Sequence, residues 1–152
     1  MHHLLEDLPD MAKDEIKRAD HLVYVTLKYT RTVDVIKNTV KRLINAYNYV
    51  ILEALEYAKE SKKIKEIPAS AQDRVKLLKK LYKDDIEDHI KLYELLKAID
   101  LAPYSGKEEY RKNVTLIAKI TPTRIIEVNI PVLIEYFDKT KEFVSFINSW
   151  VE

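Results

Sequence analysis

Lys17, His21, Tyr24, Lys28 and Arg31 recur at steps of three and four residues, the spacing that sets side chains along one line of a helix. Cations that seek phosphate oxygens, an imidazole and an aromatic ring on one line could hold RNA or another polyanion. Asn38, Lys41, Arg42, Asn45 and Asn48 would carry that polar face further along the chain. The competing reading is a solvated helix face, because 34% of the residues are charged and any exposed face will hold lysines. Lys and Arg number 26 against 25 Asp and Glu. That balance favours the plainer reading, since nucleic-acid-binding domains usually carry a positive excess.

Asp85 and His89, in "DDIEDH", stand four residues apart and on one helical face would present an oxygen and a nitrogen ligand to a divalent metal. That is half a site, and the other histidines are His2, His3 and His21. An acidic first helical turn explains the same residues without a metal. Tyr104 and Tyr110 flank Gly106 beside Lys107, Arg111 and Lys112, a segment that could recognise an anion or a partner, or simply connect two elements in solvent. No G-x-S-x-G or H-E-x-x-H occurs, there is no cysteine, and a single glycine excludes both the P-loop and the dinucleotide fingerprint. No catalytic residue and no cofactor is therefore assigned, although distant residues can still meet in space.

The elements that must position these residues are mostly helical. Leu22, Tyr29, Ile36, Leu43, Val50 and Tyr57 recur every seven residues, with Thr26, Val33, Val40, Tyr47 and Ala54 between them, a helical period that outweighs the β-propensity of "YVTLKYTRT". An unbroken helix from 22 to 58 would reach about 55 Å, longer than a globule of this size. Two helices, 10–29 and 33–62, are expected, with a break at "TRT", where Thr32 can cap and Asp34 can open the next turn. The uncovered apolar stripe of that pair predicts a homodimer. Ser70 with Asp73, and Asp84 with Glu87, resemble capping boxes for two further helices. "DLAPYSGKEE" reads as a loop. Alternation through Val114, Leu116, Ala118 and Ile120, and again through Ile126, Val128 and Ile130, predicts a β-hairpin near 113–129. Pro131 fits the first turn of a last helix burying Leu133, Phe137, Thr140, Val144, Ile147 and Val151. Tyr29, Tyr47, Tyr57, Tyr93 and Tyr136 fall on apolar helical faces, where packing is expected.

The expectation is thus a mainly α protein, an antiparallel bundle of about five helices with a small hairpin, forming one domain over 1–152. No apolar run reaches membrane-spanning length, and "MHHLLEDLPD" lacks the blocks of a signal peptide, so a cytoplasmic location is expected. Dense Lys and Glu without Cys resemble thermophile composition.

"KRADHLVYVTLKYTRTVDVIKNTVKRLINAYNYV", followed by shorter helices and the basic "EEYRKN", resembles in layout the HEPN superfamily of prokaryotic and archaeal helical bundles, over about the first two-thirds of the chain. Active members carry Arg-x(4–6)-His before the last bundle helix; here Arg111 and Asn113 stand at the comparable place, Leu116 where the histidine would be, and no histidine follows. The resemblance implies a non-catalytic member that dimerises and binds a partner protein or RNA. Two expectations result: a non-enzymatic, homodimeric helical interaction module, or an RNA-associated protein binding through Lys17, Lys28, Arg31 and Arg111. Convergence of His21, Arg31 and Arg111 in one pocket would favour the second.

Overall fold

The structure, a computed structural model, describes residues 2–151, with side chains placed for 7–150. Helix α1 (His2–His21) runs directly into a π-helical turn, Leu22–Thr26, and one last α turn, Leu27–Tyr29. A π turn accommodates one residue more than an α turn, so the buried line passes through Ala12, Ala19, Val23 and Leu27. The heptad line is thereby turned outward, and Tyr29 is 83% exposed where packing was expected.

The break falls at "TRT" without glycine or proline. Thr30 leaves the helical region (φ −131°, ψ 84°), and the Thr32 hydroxyl accepts from Val35 N at 3.4 Å to cap α2 (Val33–Glu60). A distant segment completes the hinge: Tyr110 N donates to Arg31 O at 2.6 Å, and Glu109 Oε2 accepts from Val33 N at 3.3 Å. From there the sequence pattern holds. Val33, Ile36, Val40, Leu43, Tyr47, Val50 and Ala54 are all buried, and one connected core draws its members from every helix and, through Leu116, Ala118 and Val128, from the segment between the last two helices. The α2 stripe is therefore covered within the chain, while Met11, Tyr24, Val25 and Tyr29 of the first helical segment stay exposed.

Helix α3 (Ala71–Tyr82) starts as predicted, with Asp73 N donating to Ser70 Oγ at 3.1 Å. The second predicted cap does not form: Asp84 lies inside a 3₁₀ turn, Lys83–Asp85, and Ile86 precedes α4 (Glu87–Leu101) with no side-chain cap. The expected loop after α4 holds a strand, β1 (Tyr104–Lys107), and β2 (Thr115–Thr121) and β3 (Arg124–Asn129) complete an antiparallel sheet in the order β1-β2-β3. The alternation signal found the β2–β3 hairpin and missed β1, whose four residues are all exposed and so carry no burial pattern. Gly106 is fixed by sterics, since a Cβ there would lie 2.6 Å from Val33 Cγ1. Asn129 Oδ1 accepts from Val132 N at 2.9 Å to cap α5 (Ile130–Val151), with Pro131 in its first turn. Leu133, Phe137, Thr140, Val144 and Ile147 are buried as predicted, while the Val151 side chain lies outside the described residues. Among the described residues no helix is long and apolar enough to cross a membrane.

Candidate functional site

α4 runs into β1 and α5 leaves β3, so the sheet end of the molecule holds the C-terminus of one helix and the N-terminus of the other. His89 holds the opposite ends together, its ring 4.9 Å from that of Phe143 and 5.7 Å from that of Phe146. Between these antiparallel helices lies a groove of about 870 Å³, within the range of small-ligand and peptide sites. Leu92, Leu95, Ala98 and Tyr136 give it an apolar floor. From Asp88 to Ala98 it extends about 15 Å at the helical rise.

Its rim is polar at both ends. Lys91, Glu94 and Lys139 already pair with Glu87, Lys79 and Glu135 at 3.6, 3.1 and 3.0 Å. Asp88 and Glu142 beside His89, and Arg124 at the sheet end, have no ion-pair partner among the described residues. The groove is therefore acidic at one end and cationic at the other. Burial lowers the His89 pKa, with Glu142 and Asp88 pulling it back, and burial raises that of Tyr136.

A second groove, of about 410 Å³, lies between α1 and α2 and is lined by Arg18, His21, Leu22, Asn38 and Arg42. Beneath it Glu15, 5% exposed, accepts from Arg18 Nη1 at 3.0 Å, from Arg42 Nη1 at 3.5 Å and from Asn45 Nδ2 at 3.5 Å. A hollow lined by Asp34, Lys37, Asn38 and Lys41 adjoins it through the shared Asn38.

The residues singled out from the sequence are divided by this arrangement. Lys17, His21, Tyr24 and Lys28 do lie exposed on the first helical segment, and the Tyr24 ring meets that of Phe137 edge-on at 6.0 Å. Arg31 lies within the break, its carbonyl tied to Tyr110 and its Nε buried without a hydrogen-bond partner. Arg111 is 77% exposed and pairs with Glu108 at 3.8 Å. His21 belongs to the α1–α2 groove instead, so the pocket combining His21, Arg31 and Arg111 is not formed. Of the expected polar extension, Asn38, Lys41 and Arg42 line the two α2 hollows, whereas Asn45 bonds Glu15 and Asn48 accepts from Tyr93 Oη at 2.5 Å. Tyr104 donates to Asp34 at 3.4 Å and carries Lys37 Nζ 4.2 Å above its ring. Asp85 and His89 do not share a helical face, because Asp85 ends the 3₁₀ turn before α4. Among the described residues no three His, Asp or Glu side chains gather as metal ligands, and the side chains of His2 and His3 lie outside those residues.

Sequence reasoning missed two buried carboxylates, Glu15 and Glu53. Both occupy the apolar line of their helices, Glu15 between Ala12 and Ala19, Glu53 between Val50 and Ala54, and an acid at such a position was a readable signal. With its amide turned NH₂ inward, Asn148 donates to Glu53 Oε1 at 2.7 Å and Oε2 at 3.2 Å. Burial nevertheless pushes the Glu53 carboxyl up to about 7, against the pull of Lys13. Compared with known proteins, the chain matches no family model, no curated protein and no solved structure.

Proposed function

We propose that this chain is a cytoplasmic, non-enzymatic interaction module whose α4–α5 groove receives an amphipathic helix of a partner protein. The observation that carries the reading is the groove itself, an apolar floor of Leu92, Leu95, Ala98 and Tyr136 between an acidic end and a cationic end with unpaired charges. Such a floor suits apolar anchors at i, i+3 or i+4, and i+7 on a docking helix. The two ends add direction: a basic residue of the partner belongs beside Asp88 and Glu142, an acidic one beside Arg124. Electrostatic complementarity of this kind fixes register and orientation. Homodimerisation, the other expectation for such a module, becomes an outcome of the test.

Helical peptides displayed on phage and selected against the protein test the reading. Enriched sequences should share that apolar spacing with opposite charges at their two ends, and should shift the resonances of Leu92, Leu95 and Tyr136. Leu95→Glu, at a half-buried position, should weaken them by at least about tenfold, as loss of a central anchor does. Peptides that bind Leu95→Glu as tightly as wild type would reject the groove. A dimer in sedimentation that Leu95→Glu abolishes would make a second copy the occupant.

A further inference from the structure

We propose that the α1–α2 groove is an oxyanion subsite that takes a phosphate group of a ligand, anchored by Arg18 and Arg42, with His21 and Asn38 as further donors and buried Glu15 as the residue that positions both guanidiniums. Neutralising one buried carboxylate requires one cation, and Glu15 has two. Both arginines reach it through Nη1. Nε and Nη2 of each, the edge that grips an oxyanion through two parallel N–H bonds, have no protein partner among the described residues. The pair with Glu15 keeps one net positive charge, set at the mouth of a groove rather than spread over the surface.

The neighbouring donors point the same way. Thr26 Oγ1 lies 3.4 Å from His21 Nδ1, which leaves Nε2 for the groove, and Asn38 lines both this groove and the adjoining hollow. A guanidinium held by a buried acid loses little rotamer freedom on binding, so the ordering cost of two long side chains is met by the fold. The groove exceeds the size of one phosphate, and the hollow beyond Asn38, about 260 Å³, presents Lys37 and Lys41 against the single carboxylate of Asp34, which accepts from Tyr104 Oη. A second phosphate therefore finds cations within the same line. The protein's overall charge balance does not oppose this, because the excess is local.

The test uses the full chain and follows the Nε–Hε resonances of Arg18 and Arg42 and the side-chain amide of Asn38 by NMR. Inorganic phosphate should give saturable shifts at all three, and pyrophosphate should bind about tenfold more tightly as the second phosphate adds charge-assisted bonds. Arg18→Gln leaves Glu15 paired with Arg42 and should keep the melting temperature while weakening both ligands by about tenfold or more. Asn38→Ala changes no charge and should weaken them several-fold. A short single-stranded RNA distinguishes the sources. Binding tighter than pyrophosphate, with an affinity falling steeply in salt, assigns the phosphates to a nucleic-acid strand, whereas weaker binding assigns them to a small phosphorylated ligand. Shifts that never saturate, or that persist unchanged in Arg18→Gln and Asn38→Ala, would overturn the subsite.

Discussion

Glu15 and Glu53 are the same residue at comparable burial, 5% and 2% exposed, and the fold treats them oppositely. Glu15 sits where α1 crosses α2 close to the surface, so Arg18 and Arg42, 58% and 33% exposed, reach in with their heads still partly in water. Glu53 sits where α2 faces α5, and its near partner is the neutral amide of Asn148. Lys13 acts on it only through its field, which does not offset burial, and its pKa climbs to about 7. The difference teaches that depth alone does not decide the charge of a buried acid. What decides is whether a long cation can reach it without leaving water.

Stranding Glu15 should have the largest effect. Replacing Arg18 and Arg42 together with Ala leaves the carboxylate buried with Asn45 alone, and removing the partners of a buried charge costs about 3–5 kcal/mol. Arg18→Ala by itself should cost no more than ~1 kcal/mol, because Arg42 still neutralises the acid. Urea denaturation of the single and double variants measures both, and additive small losses would show that Glu15 is not held by the pair.

Glu53→Gln should act in the opposite direction, with an effect that grows as pH rises from the ordinary carboxyl value of 4.5 to about 7 and is full above it. The carboxyl titrates at its ordinary value of 4.5 when unfolded and at about 7 when folded, so between these values the folded state holds the extra proton. Stability is full below the lower value, falls as pH rises, and has lost its whole contribution above the upper one. The loss is roughly 3 kcal/mol at pH 8. The amide of the variant is neutral at every pH, so Glu53→Gln should melt with wild type near pH 4 and above it at pH 8. His89 sets the other limit: its lowered pKa means that stability is lost as pH falls below the ordinary imidazole range.

How far this contrast could be read beforehand follows from what a period encodes. The seven-residue line through Ile36, Leu43 and Val50 reports burial directly, and α2 and its core are as the pattern required. Tyr29 is misplaced because a π turn changes the residues per turn, and nothing in "LVYVT" announces one. β1 escaped because an exposed edge strand has no apolar alternation, and Asp85 precedes a helix that begins only at Glu87. The two grooves were less legible. Arg18 and Asn38, or Leu95, Arg124 and Glu142, become neighbours only through helix pairing, which one-dimensional spacing does not contain. His89 and Tyr136 stand out in the sequence for other reasons, and no spacing there joins them across a groove.

A smaller effect separates the two acids most sharply, because it makes in Glu15 the substitution just described for Glu53. Glu15→Gln keeps size and shape, so no cavity opens and the packing of α1 on α2 is preserved. The charge is lost, and Arg18 and Arg42 are left as like-charged neighbours without the anion between them. Both are exposed enough to turn back into water, so the penalty is not that of a buried unpaired charge. What remains is the loss of charge-assisted hydrogen bonds for ordinary ones, together about 1–2 kcal/mol. The same chemical change should therefore destabilise at position 15 and stabilise at position 53 when both are measured at pH 8. Equal signs at pH 8 would break the comparison, showing that burial alone governs both carboxylates and that the two arginines contribute nothing beyond surface charge.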